Sequence, residues 1–224
     1  RGVQVIQIIN MSDTQEVRLG EQINAQLVEE EFRLYPDAEI TRYVDQIGQR
    51  LVPHSTRSNI PYTFQVVQDD QINAFATMGG FVYVTTGLMA AADNEAQLAS
   101  VLAHEIGHIA ARHAVEQMRE AAIAQGIMTA TGVDESAAVG LGVELALRRP
   151  NSRQDEREAD QLGLANLTRA GYAPSAMVAF MEKLLDQPSQ PSLLSTHPSV
   201  GSRISDLNSQ MDPATANQGD GLDN

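Results

Sequence analysis

The segment from Glu95 to His113 constrains this chain more than any other. It reads Glu-Ala-Gln-Leu-Ala-Ser-Val-Leu-Ala-His-Glu-Ile-Gly-His-Ile-Ala-Ala-Arg-His. Asn94 with Gln97 three residues on makes a capping-box-like start. The apolar spacing predicts a helix from Asp93 or Asn94 to at least about Arg119. Val101, Ala111 and Val115 share a face with His104 and His108, while Leu98, Leu102, Ile106 and Ile109 line the opposite face. A helix that is apolar on both sides is buried. Two imidazoles and the Glu105 carboxylate then lie in an interior, where each polar group needs a partner. The rest of the chain must wrap around this helix and supply those partners.

His104-Glu105-Ile106-Gly107-His108 is an HExxH pentad, and its spacing has a mechanical reason. Residues i and i+4 sit one turn apart on the same helix face, so two imidazoles can converge on one metal ion. Glu105 is rotated about 100° from them, placed to reach the water such a metal activates rather than the metal itself. A catalytic zinc takes three protein ligands and keeps an open position. His54, His113, His197 and many carboxylates are available for the third place. Glu156 stands out among them, because it opens Glu156-Arg157-Glu158-Ala159-Asp160 on a helix capped near Ser152. Glu156 and Asp160 project together at i, i+4, so one could bind metal while the other accepts from the free ring nitrogen of a ligating histidine. From spacing alone, such an acidic run also fits an ordinary solvated helix face.

Elsewhere the pattern alternates between helix and strand. Val3 to Ile9 is a short apolar run, fit for a strand or a docking arm. Helices are predicted over 16–32, 40–51, 153–171, 175–185 and 201–211. Tyr62 to Gln68 and Phe81 to Thr85 are predicted strands. Ala121 to Leu147 is rich in small residues and reads as two short helices with a flexible loop; it lies between the two ligand-bearing helices, either as a lid or as a packing hairpin. Gln187 to Ser195 reads as a loop. The fold class is α+β, mostly helical, with a small sheet beside the active-site helix. A formal net charge of −14 repels phosphate backbones and argues against nucleic acid as a partner. The absence of cysteine excludes disulfides, thiolate metal sites and cysteine nucleophiles. No run of about 18 apolar residues suggests a spanning helix. Because the sequence opens at Arg1, a processed form is expected, with any signal peptide upstream.

Asn73-Ala74-Phe75-Ala76, Gly79-Gly80, Thr86-Gly87-Leu88, Glu95 to His113, Ser152-Arg153 with Glu156 to Asp160, and Thr196-His197-Pro198 with Arg203-Ile204 follow one another along the chain. Together they resemble the HtpX-like and CAAX-prenyl-protease-like zinc metallopeptidases, and within them the soluble periplasmic BepA-like branch. The resemblance implies a metallopeptidase domain over 16–211, preceded by an arm or linker over 1–15 and followed by a disordered tail over 212–224. It implies a gluzincin site with one Zn2+ per chain held by His104, His108 and Glu156, Glu105 as catalytic glutamate, and Asp160 supporting His104. His113, five positions past His108, points elsewhere and is given no metal role; His54 is a surface loop residue. His197 is implied to approach the zinc from a C-terminal loop, as an autoinhibitory ligand or a transition-state helper; an ordinary loop histidine is the plainer reading. Arg203 either stabilises an oxyanion or pairs with an acid.

The chemistry so implied is endopeptidase hydrolysis of unfolded or misassembled protein, extracytoplasmic and in the bacterial periplasm or at its membranes, in envelope quality control. Peripheral or lipid anchoring is compatible with it. Substrate is expected as an added strand along Gly80, Phe81, Val82, Tyr83 and Val84. Two departures stand out: HtpX-like relatives carry spanning helices, and BepA continues into a helical-repeat domain. The rival reading is a silenced zinc protein acting as chaperone or adaptor, against which the intact Glu105 argues.

Overall fold

The computed structural model describes residues 4–223. The first three positions of the expected N-terminal arm, including Val3 of its apolar run, and Asn224 of the tail lie outside the described residues. Ser12 caps α1 (Asp13–Gln26) through a capping box with Gln15, and the helix ends in a π-helical turn, Leu27–Glu31. Asp37 caps α2 (Ala38–Leu51), accepting from the N–H groups of Glu39 and Ile40. The stripe Val44, Ile47 and Leu51 is buried.

β2 (Thr63–Val67), β3 (Ala74–Thr77) and β4 (Phe81–Thr85) form a sheet in the order β2-β4-β3, with β4 parallel to β2 and antiparallel to β3. A two-stranded ribbon pairs β1 (Val5–Ile6) with β5 (Val133–Asp134). β3 gives little sequence signal, since Ala-Phe-Ala-Thr is too short to show a period. Its presence corrects the expected substrate strand. Phe81 to Val84 already pair with β2 on one side and β3 on the other, and Gly80 accepts from the N–H of Thr63. A strand with both ladders filled offers no row of free backbone groups. Gly80, Phe81, Val82, Tyr83 and Val84 therefore cannot take an added strand; the edge beside the pentad is β3.

Thr85 caps α3 (Thr86–Ala91), and Asn94 caps α4 (Glu95–Ala110), in which every residue from Ala96 to Ile109 is buried. The helix does not run on to Arg119. Arg112 adopts a left-handed conformation, φ 60°, and a new helix, α5 (His113–Ala124), starts at a new angle. Such a conformation costs a side-chain-bearing residue roughly 1–2 kcal/mol. Here Arg112 is held by tertiary bonds, donating to Glu16 Oε2 (3.0 Å) and to the Met11 carbonyl (2.7 Å). Over 121–147, where two short helices and a flexible loop were expected, the chain finishes α5, crosses a loop that contains β5, and forms α6 (Glu135–Arg148), a helix of 14 residues. It packs Ala138, Leu141 and Val143 into an apolar cluster with Ile23, Met118 and Ala122.

α7 (Arg153–Arg169) begins at a Ser152–Asp155 capping box. It crosses α4 at very short range, and two glycines permit this. A Cβ on Gly107 would stand 2.7 Å from the Ala159 carbonyl oxygen, and one on Gly163 would stand 3.0 Å from the backbone of His104. α8 (Ser175–Leu185), α9 (Ser192–Thr196) and α10 (Val200–Gln210) complete the shell, with α9 inside the expected Pro/Ser loop. The tail departs from the expected disorder. Its backbone bonds Gly171, Ala173, Ser175 and Ala96, and Asp220 pairs with Arg50 at 2.6 Å. A polar segment that lacks a core of its own is held here by the carbonyls and amides of its neighbours.

Candidate metal centre

The crossing of α4 and α7 brings three side chains to one point. His104 and His108 present their Nε2 atoms 3.0 Å apart. Glu156, in the first turn of α7, lies between them, with Oε1 3.1 Å from His108 Nε2 and Oε2 3.4 Å from His104 Nε2. His197, at the end of α9, adds a fourth donor: its Nδ1 is 2.9 Å from Glu156 Oε1 and 3.3 Å from His104 Nε2. All four residues are buried, and their donor atoms lie within 4.8 Å of one another. His197 is thus no free loop histidine.

This donor set fits a small divalent cation. Zinc–nitrogen bonds are about 2.0–2.1 Å, which sets neighbouring tetrahedral donors about 3.3 Å apart. The protein alone satisfies the cluster poorly: His104 Nε2 has a single hydrogen or a single lone pair with which to meet both His108 Nε2 and His197 Nδ1, and it can serve only one of them well. Burial disfavours a cation on His104, but Glu156 and Asp160 outweigh it and raise its pKa to about 10. Burial drives His108 the other way, to about 3. Glu156 is itself deeply buried, yet His197 and His104 hold its carboxyl far below the usual carboxylate range. Three imidazoles compete for charge around one carboxylate, an arrangement that a bound cation relieves.

Glu105 occupies the adjoining position on α4. It is buried, and neither carboxylate oxygen has a hydrogen-bond partner among the described residues. Its nearest charged neighbour is His197, whose Nε2 is 3.5 Å from Oε1. Burial pushes the Glu105 carboxyl up from its ordinary range.

Asp160 lies one turn beyond Glu156, with Oδ1 2.9 Å from His104 Nδ1. Arg203 of α10 grips Asp160 in a fork, Nε and Nη2 each 2.7 Å from a carboxylate oxygen, and its Nη1 stands 2.5 Å from Glu156 Oε2. The remaining contacts of Nη1 are with the carbonyls of His197 and Pro198. Between an oxyanion partner and an acid partner, the observed arrangement is pairing with acids.

His113 does not point elsewhere. The left-handed turn at Arg112 folds it back, so that its Nδ1 meets His108 Nδ1 at 2.8 Å. Sequence spacing misses this because a continuous helix would have carried His113 around to another face. It also misses Asn151, whose N–H donates to the Thr196 carbonyl (2.9 Å), whose Nδ2 lies 3.5 Å from His197 Nδ1, and whose Oδ1 accepts from Gln117. No local pattern could have exposed that contact, which joins three separate segments. His54 is exposed and distant from the cluster's bonding network, as expected.

Two openings reach the centre. A cleft of about 710 Å³, counting its open mouth, runs between β3, α5 and α6 and touches Glu105, His108 and His197. A second, apolar opening of about 400 Å³, counting its open mouth, also touches Glu105 and is walled by Met177, Phe180, Met181, Leu184 and Leu193. β3 borders the first opening. The Ala74 carbonyl faces away from β4, toward His197 Nε2 at 3.3 Å. Strand alternation puts the backbone groups of Ala76 on that same free side.

The sequence profile of Peptidase family M48 matches residues 38–211. The beta-barrel assembly-enhancing protease of Escherichia coli (strain K12) is 37% identical over 213 residues, covering 88% of this chain and 44% of that protein. The mitochondrial metalloendopeptidase OMA1 of Schizosaccharomyces pombe is 32% identical over 171 residues, covering 73% of this chain and 51% of that protein. The chain thus spans about half the length of the relatives it matches, and the family profile accounts for the sheet, the pentad helix and every donor in the cluster. The chain belongs to peptidase family M48.

Proposed function

We propose that this domain is a zinc-dependent endopeptidase in which His104, His108 and Glu156 hold the metal and Glu105 is the general base. The observation that carries this reading is Glu105 itself: a buried carboxylate with no hydrogen-bond partner among the described residues, one residue from the donor cluster and lining the cleft. A purely structural metal site has no use for such a group. Bound zinc supplies a Lewis acid that polarises the scissile carbonyl and makes water nucleophilic near neutral pH. Glu105 takes the proton from the attacking water and delivers it to the leaving amine. Asp160 and Arg203 fix His104 and Glu156 in place. Substrate backbone pairs with the free edge of β3 at Ala74 and Ala76, and the apolar cavity beside Glu105 receives one large apolar side chain. Main-chain pairing makes selectivity modest and leaves it to that cavity.

His197 supplies a fourth donor and bonds the Ala74 carbonyl, so it stands where both water and substrate must enter. This favours a second, narrower reading: the domain rests in an autoinhibited form, and His197 withdraws when substrate binds. The name of the bacterial relative speaks of beta-barrel assembly; on that footing the proposed substrate class is misassembled envelope protein, met outside the cytoplasm, in the periplasm or at a membrane surface. No helix among the described residues is long and apolar enough to cross a membrane.

The test is metal content with cleavage of casein and short peptides, for wild type, Glu105→Gln and His197→Ala. One zinc per chain throughout is expected, with Glu105→Gln slowed by about 10²–10⁴-fold, the usual contribution of a general base. His197→Ala should cleave short peptides faster than wild type. Zinc in every protein with no cleavage in any would favour a chaperone or adaptor instead, and absence of zinc in wild type would end the proposal.

A further inference from the structure

The ring nitrogen of His108 that faces away from the cluster is not free. Its Nδ1 meets His113 Nδ1 at 2.8 Å, with the two rings edge to face at 5.1 Å between centroids. The far nitrogen of His113, Nε2, lies 3.0 Å from Glu158 Oε2 and 3.8 Å from Asp155 Oδ1. His113 is buried, while Glu158 reaches solvent on the same helix that carries Glu156 and Asp160.

These contacts admit one arrangement of protons when His108 Nε2 binds a metal. A neutral imidazole that ligates through Nε2 carries its proton on Nδ1. That N–H must donate, so His113 accepts at Nδ1 and carries its own proton at Nε2. Nε2–H then donates to the carboxylate of Glu158. Each link has one donor and one acceptor, with none left over.

We propose that His113 and Glu158 form a relay that fixes the tautomer and ring orientation of His108 and raises the affinity of the centre for its metal. His113 is a positioning residue: it touches neither substrate nor metal and acts through His108. The break at Arg112 belongs to the same device. Glu16 of α1 holds Arg112 in the left-handed turn, and the turn brings His113 back onto the helix it has just left. Asp160 performs the matching task for His104. This inference rests on the proposed assignment of His108 as a ligand.

The experiment measures zinc affinity by competition with a chelator, and the visible spectrum of the cobalt-loaded protein, for wild type, His113→Leu, His113→Asn and Glu158→Gln. His113→Leu should lose about 10–100-fold in affinity, the usual effect of removing a bond behind a ligating histidine, and should shift the cobalt bands. His113→Asn places an amide oxygen near the old Nδ1 and should recover part of that affinity. Glu158→Gln, which keeps an acceptor but loses the charge, should fall between Asn and wild type. Equal affinity and identical spectra in wild type and all three variants would overturn the relay while leaving the metal centre intact. Equal losses in His113→Leu and His113→Asn would also overturn it, by pointing to packing alone. Should His113→Leu fail to fold, the order of the other two variants against wild type still decides. A wild type that binds no metal overturns the relay together with the functional reading beneath it.

Discussion

The two histidines of α4 are held from behind by different chemistry. Behind His104 stand Asp160 and Arg203, both about 4% exposed at the side chain, locked in a bidentate pair. Behind His108 stands His113, itself buried, and behind that Glu158, whose side chain is 53% exposed. One support is a closed knot of charge; the other runs out to water. A buried ion pair is weak evidence of net stability, but removing one partner leaves an uncompensated charge. A support that ends in solvent carries no such penalty, because water takes over at its outer end. The His104 side is therefore built to be rigid and the His108 side to be adjustable.

The sharpest way to break this comparison is Arg203→Leu. It strips from the buried Asp160 and Glu156 the guanidinium that pairs with both, leaving only the histidines to balance their charge. The metal-free protein should lose about 3–5 kcal/mol, the usual cost of orphaning a buried charge. Urea unfolding of the metal-free variant beside wild type measures it. A loss below about 1 kcal/mol would mean that water reaches the knot and that the two sides do not differ in kind.

A smaller effect is expected where α7 meets α4. Gly163→Ala sets a methyl 3.0 Å from the Cα and N of His104, with backbone rather than a flexible chain end in its way. Overpacking of this sort costs about 1–3 kcal/mol. It should also move Glu156 relative to the histidines and weaken metal binding more than a mutation of equal cost in α2 would. Isothermal titration with zinc would separate the two effects. A destabilised protein with unchanged zinc affinity would show that the crossing distance does not govern the site.

What was legible in the sequence follows the range of the physics involved. The i, i+4 pairs His104/His108 and Glu156/Asp160 are local geometry, and the apolar faces around the pentad announce burial of α4. β3 was not legible, because four residues carry no period. The end of α4 was hidden for the opposite reason. Apolar spacing continues past Arg112, and only Glu16, ninety-six residues earlier, makes the left-handed turn tolerable. That one miss also hid the contact of His113 with His108. The tail was misread because composition measures whether a segment can build a core, whereas residues 212–223 borrow bonds from Gly171, Ala173 and Ser175. The substrate strand was misplaced on β4 because sequence cannot say which strand of a sheet is the edge.

The smallest expected effect completes the comparison from the other side. Glu158→Gln removes a charge at the solvent end of the His108 support. Unfolding stability should stay within about 0.5 kcal/mol of wild type, as for other exposed positions, because water solvates whatever the amide leaves unpaired. The contrast with Arg203→Leu is then one of kind: the same number of steps behind a histidine of the pentad, but a loss several-fold larger when the last group is buried. Urea midpoints of the two metal-free variants, measured in parallel, give that ratio. A Glu158→Gln loss approaching that of Arg203→Leu would place Glu158 in a dry setting when folded and erase the distinction between a rigid and an adjustable side.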